Sequence, residues 1–179
     1  MHHTLRLYGQ HQHRLIHLYI SLARITSIPL IGSVARWAAN TYAVHGHGGY
    51  LLTLSEAEQI VDTAVSVSLG PCSCRQEFHN CGQPVMSEIV LGNGSSEVYA
   101  SRTKEFHSIS KDEAKGILRQ AHASHLTHSI MRCGDHFYAL CNCCNCCCVP
   151  TRLLKNFGVG KALVRNPHVV EDFRTQQLA

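Results

Sequence analysis

Six cysteines fall within eight positions near the end of this chain, as Cys141-Asn142-Cys143-Cys144-Asn145-Cys146-Cys147-Cys148. Four more, Cys72, Cys74, Cys81 and Cys133, precede them. A disulfide needs Cα atoms roughly 4.4–6.8 Å apart with converging side chains, and close neighbours in one loop cannot all satisfy that. Crowded thiols suit metal better, because thiolates are the ligands of iron–sulfur clusters and of structural zinc. Cys141, Cys144 and Cys147 have the Cys-x2-Cys-x2-Cys spacing that wraps a cubane, and Cys143 and Cys146 interleave a further Cys-x2-Cys pair. One loop cannot aim all of these at a single centre, so the run is read as serving two. Fourth ligands are expected from Cys72, Cys74 and Cys81, since Cys72-Ser73-Cys74 follows a Gly70-Pro71 stop and lies in a loop free to curve around inorganic sulfide.

The expected ligands are therefore Cys72, Cys74, Cys81, Cys141, Cys143, Cys144, Cys146 and Cys147, enough for two 4Fe-4S clusters, with one as the smaller alternative. Cys133, alone in a turn, and Cys148, beside Val149-Pro150, are left out. Arg75 follows Cys74 directly, and its cation would stabilise a negative thiolate-ligated cluster; a solvated ion pair is the competing role. Asn142 and Asn145 stand inside the ligand loop, where an amide donates to sulfur or a tight turn is tolerated. His79, between Cys74 and Cys81, is the histidine to test as a substitute ligand, while His122, His125 and His128 are expected to face solvent. A structural zinc site needs only four ligands, usually in two well-separated pairs, so the run exceeds its needs. Copper handling and redox-active disulfides are further alternatives.

Composition narrows the class. With 179 residues the chain can bury a core without disulfide support. Its formal charge is +4 and its basic residues are scattered without a run, which argues against nucleic acid. The N-terminal stretch has no apolar run of the length a signal or a membrane span requires, so the default location is the cytoplasm, where thiols stay reduced. Charged residues make up 16%, below the roughly 25% of typical domains, leaving apolar surface for a membrane, another subunit or a second copy of the chain.

Periodicity supplies the elements that hold the cysteines. Apolar residues at helical spacing predict helices over 14–23 and 33–43, an arm packed on the core within residues 1–50. The cysteine-rich domain is expected over 51–179. Thr53-Leu-Ser-Glu56 and Ser110-Lys-Asp-Glu113 are capping boxes that start helices reaching about Ser68 and Ala123. Gln83-Pro84 is read as opening another short helix through Met86 and Leu91, and Gly92-Asn-Gly94 as a turn. Leu126–Met131 and His136–Leu140 predict a hairpin that feeds the cysteine run, and Pro150 opens a last helix. The predicted fold is mainly α with a small β hairpin (α+β), one domain organised around iron–sulfur clusters.

Gly70-Pro-Cys-Ser-Cys-Arg75, Cys81, Ile109-Ser-Lys-Asp-Glu-Ala114 and Leu140-Cys-Asn-Cys-Cys-Asn-Cys-Cys147 together resemble the cysteine-rich module of ferredoxin-like 4Fe-4S binding proteins of anaerobic bacteria and archaea. The resemblance spans roughly residues 28–150 and implies cluster binding and a redox role. Members with this pattern often continue into an ordinary ferredoxin domain, whereas no cysteine follows Cys148 here, so relay through further clusters is expected from a redox partner protein. No Gly-rich phosphate loop, Gly-x-Ser-x-Gly or His-Glu-x-x-His motif offers substrate chemistry. The sequence thus points to an electron carrier or an electron-transfer subunit rather than an enzyme. The alternatives are a cluster-dependent enzyme with an open iron and a non-redox zinc or other metal module.

Overall fold

The structure, a computed structural model, describes residues 2–92 and 105–178, with side chains from Gln10 onward in the first helix. Helices α1 (His2–Ala23) and α2 (Gly32–His45) are joined through a 3-10 turn at Arg24–Ser27. There follow β1 (His47–Leu52), α3 (Leu54–Thr63), β2 (Val67–Pro71), α4 (Ser73–Phe78), β3 (Met86–Leu91), β4 (His107–Ile109) and α5 (Lys111–Ala123). The chain ends in β5 (Thr127–Cys133), β6 (His136–Cys143), α6 (Val149–Phe157), β7 (Leu163–Arg165) and α7 (Val169–Leu178). Among the described residues the strands form one seven-stranded sheet in the order β4-β2-β3-β6-β5-β1-β7. Its pairs are antiparallel except β1 with β7.

The mainly α fold with one small hairpin is thereby overturned: the chain is α/β, built on a mixed sheet. Three apolar stretches account for the error. Ile89, Val90 and Leu91 in β3 are all buried, 0–3% exposed, because Ile89 and Leu91 lie in the core with α3 and α5 while Val90 packs on the other face with Phe106, Met131 and Tyr138. A strand buried on both sides has no alternation, so periodicity cannot separate it from a helix. The helix expected to reach about Ser68 stops at Thr63, and Val67 and Ser68 open β2, which runs through the expected Gly70-Pro71 stop. His47–Leu52, placed partly in the arm, hides its strand behind glycines. Gly48 is required there, since a Cβ would collide with the Ala43 carbonyl oxygen. Beyond Gly158, β7 and α7 follow the helix taken as last. Gly92 forms a turn as expected, while Asn93 and Gly94 lie outside the described residues.

One face of the sheet packs on α3, α5 and α7 through Ile60, Val61, Ile89, Leu118, Ile130, Leu140 and Phe173. Over the opposite face lie α1, α2 and α6, which enclose with Met131, Tyr138, Cys141 and Cys143 a largely apolar cavity of about 530 Å³. The β5–β6 hairpin turns at Gly134, whose φ of +57° suits glycine. Its register sets His128 opposite Asn142 and Ser129 opposite Cys141.

Both capping sites form. Thr53 Oγ1 accepts from the Glu56 N–H and Glu56 Oε2 accepts from the Thr53 N–H, while Ser110 Oγ accepts from the Glu113 N–H. Glu56 also takes two bonds from Arg165, at 2.6 and 2.7 Å, tying α3 to β7. The Arg165 guanidinium, helped by the Thr53 donors and opposed by partial burial, lowers the Glu56 pKa to about 2. A carboxylate with a depressed folded-state pKa stabilises above its unfolded value, roughly 4.3, and that stability is lost as pH falls toward about 2. Glu56→Gln should thus cost about 1 kcal/mol at neutral pH. In thermal melts of the two proteins, the difference should shrink between about pH 4.5 and about pH 2; a gap unchanged at acid pH would show that Glu56 acts through packing alone.

Candidate metal centre

The end of β6 sorts the cysteines. Residues two apart on a strand share a face, so Cys141 and Cys143 both point to the cavity, and Leu140 and Asn142 point the other way. After Cys143 the chain leaves the sheet in a turn, and Cys144, which still borders the cavity, clusters with Cys146 and Cys147. Cys81 joins them from the loop after α4. The sulfurs of Cys81, Cys144, Cys146 and Cys147 lie within 4.8 Å of one another, and among the described residues this is a group able to hold a metal. Cys147 is its hub, fully buried, 3.8 Å from the Cys81 sulfur and 3.9 Å from that of Cys146. Backbone donors converge on these sulfurs: Asn80 N–H reaches Cys147 Sγ at 3.3 Å, and Cys147 N–H reaches Cys144 Sγ at 3.4 Å.

A second set of thiols gathers at the cavity wall. Cys72 lies against Cys74, Cys141 against Cys143, and Cys143 against Cys148. Cys74 Sγ also accepts from the Val149 N–H at 3.5 Å, at the N-terminus of α6. That terminus carries partial positive charge and favours a thiolate beside it. Cys148, set aside by its position next to a proline, is thus part of this set. Its signal was its place at the N-cap of α6. Cys133 lies apart from both sets, half-buried among Met131 and Tyr138.

Arg75 links the two sets. It is 2% exposed and donates from Nη1 to Pro84 O and Ser87 Oγ, each at 2.6 Å, and from Nη2 to the Asn142 carbonyl. Burial disfavours its charge, but the thiols of Cys72, Cys144 and Cys143 outweigh that and raise its pKa. In return, burial works against ionising Cys144, while the Cys147 N–H and the Arg75 cation bring its pKa down to about 6. Burial pushes Cys147 up to about 12. At Cys141 the Cys143 contact pulls the pKa down, but burial together with the nearby charges of Glu88, Cys72 and Cys148 outweighs it and raises the pKa to about 12. Cys141 and Cys147 are therefore protonated at neutral pH and would release protons on binding metal, whereas Cys144 is already inclined to the thiolate. Among the described residues Arg75 Nε is buried with no hydrogen-bond acceptor.

The asparagines are employed within the protein. Asn142 is 1% exposed, with Oδ1 2.8 Å from His128 Nδ1 and Nδ2 donating to Ser87 O, so its amide orients the strands around Arg75 rather than facing sulfur. Asn145 accepts from Lys155 at the surface. His79 caps α4 in a left-handed conformation, φ 47°, exposed and outside both thiol sets. His122 and His125 are exposed, but His128, expected in solvent, is 3% exposed on the inner face of β5. Burial lowers its pKa below the usual range.

No protein-family model, curated protein or solved structure matches the chain. The assignment therefore rests on geometry, which gives a cysteine group competent for metal. Among the described residues no helix is long and apolar enough to cross a membrane.

Proposed function

We propose that the chain holds iron–sulfur clusters in its two thiol sets and transfers electrons, as a small carrier or as a subunit of a larger redox complex. The observation behind this reading is the number of thiols brought together. Four of the ten cysteines form a group able to hold a metal, five more lie nearby through the contacts Cys72–Cys74 and Cys141–Cys143–Cys148, and a single structural zinc uses only four. The first set supplies Cys81, Cys144, Cys146 and Cys147. The second offers Cys72, Cys74, Cys141, Cys143 and Cys148. Such clusters supply one-electron chemistry when bound, tuned by hydrogen bonds and charge around their sulfurs. Arg75 meets that requirement, with a buried cation beside both sets and Nε free to donate to a sulfur that the protein does not provide. The resemblance of the two cysteine motifs to ferredoxin-like 4Fe-4S modules points the same way, and donor and acceptor would be partner proteins.

A second reading is favoured by one feature of the geometry. The sulfur separations of 3.8 and 3.9 Å in the first set match the edge of a tetrahedron whose metal–sulfur bonds are about 2.3 Å. One ion fits that span, and a four-iron core needs the sulfurs to spread apart. Purification under strict exclusion of oxygen, followed by iron, acid-labile sulfide and zinc analysis, separates the two. Two cubanes would give about eight irons and eight sulfides per chain, and one would give about four. Zinc with no sulfide would sink the redox function and establish the single-ion site.

A further inference from the structure

The elbow between α1 and α2 exposes large apolar side chains on its outer surface. Leu18 near the end of α1, Ile28 in the elbow, and Ile31, Val34 and Trp37 at the start of α2 are all exposed, Trp37 by 71%, and Leu22 and Ile25 are partly exposed while also bordering the cavity. In α2 the usual polarity of a surface helix is inverted: Ala35, Ala39 and Ala43 line the cavity, and Val34, Trp37 and Val44 look outward. A helix bordered by water keeps its large apolar residues inside. At the tip, Leu30 has φ 72° and is 96% exposed. The left-handed region suits glycine or asparagine and strains leucine, so a solvated turn has no use for this residue.

Charge selects what covers the surface. From Met1 to Ser55 there is no Asp or Glu, and Arg6, Arg14, Arg24 and Arg36 are the charged residues; all 12 acidic residues come later. Glu77 of α4 does reach this segment, but at His13 and His17, about two helical turns before the elbow. An apolar ridge flanked by arginines and devoid of acids matches a bilayer with anionic headgroups, into whose boundary Leu, Ile and Trp insert. We propose that the α1–α2 elbow, led by Leu30 and Trp37, seats on an anionic membrane surface. It lies on the bilayer and does not span it.

Trp37 is the only tryptophan in the chain and reports its own surroundings. The full chain, purified without oxygen and retaining its metal, should float with vesicles of mixed phosphatidylglycerol and phosphatidylcholine. Its emission should shift to the blue and be quenched by brominated acyl chains. Leu30→Glu should weaken binding by about tenfold or more, and Arg24→Gln, or raised salt, several-fold. Both positions are exposed, so metal content and melting temperature should not change; Val34→Glu replaces Leu30→Glu if that variant loses its fold. The proposal is overturned if the protein stays off the vesicles, if it binds pure phosphatidylcholine equally well, or if sedimentation shows that Trp37 is already covered by a second copy of the chain without lipid.

Discussion

Cys147→Ser should remove the metal held by the Cys81, Cys144, Cys146 and Cys147 set and lower the melting temperature by about 10 °C or more. Cys147 is the contact point of that set, touching the sulfurs of Cys81 and Cys146 and receiving the Asn80 N–H. A hydroxyl is a poor replacement for a thiolate, and in ligand-dense segments the free energy of metal binding is also free energy of folding. Losing several kcal/mol of it corresponds to that shift for a chain of this size, at about 2–4 °C per kcal/mol. Metal analysis and calorimetry on the same preparation check the result. Cys133→Ser is the matched control, because Cys133 belongs to neither set, and its metal content should equal that of the unaltered chain. Full metal content in Cys147→Ser would refute the site.

The second large effect is expected at Arg75. Arg75→Met keeps much of the volume but leaves the Asn142 carbonyl and the Ser87 hydroxyl buried without their donor, while the Pro84 carbonyl, on an exposed residue, can turn to water. Each buried orphaned group costs about 1–3 kcal/mol, so a loss of at least about 2 kcal/mol is expected in urea unfolding. Arg75→Lys retains a charge but not the fork that spans three acceptors, and should recover part of it. The two variants also separate structure from redox tuning. Under the iron–sulfur reading, removing a buried cation from beside thiolates lowers the reduction potential, and lysine restores it more fully than it restores stability. A potential that is the same in all three proteins would confine Arg75 to a structural role.

Arg75 and the membrane elbow have opposite relations to the core. Arg75 lies deep between the thiol sets, so its substitution is read first as a loss of stability. Leu30 and Trp37 make few contacts within the chain, so their substitution should be silent in folding and visible only on lipid.

Much about this protein follows from residue order alone. Thiols crowded beyond what disulfides or one zinc can use are a property of composition and spacing, and so is the helix-start chemistry, which closes as a full capping box at Thr53 and as a single cap from Ser110 to the Glu113 N–H. The hairpin leading into the cysteine run was equally local. Which thiols share a centre was decided by the tertiary structure. The spacing grouped Cys141 with Cys144 and Cys147, but Cys141 is still inside β6, and the pleat turns it to the cavity with Cys143 while its neighbours leave the strand. Cys81 meets Cys147 across 66 positions of sequence because β3 pairs with β6 and draws the loop after α4 over the end of the sheet. The sheet itself was hidden for a related reason: β3 is covered on both faces, and covering erases the alternation by which a strand is recognised. Local chemistry is written in neighbouring residues, whereas the partition of ligands depends on pairing between distant strands, to which no short window of sequence has access.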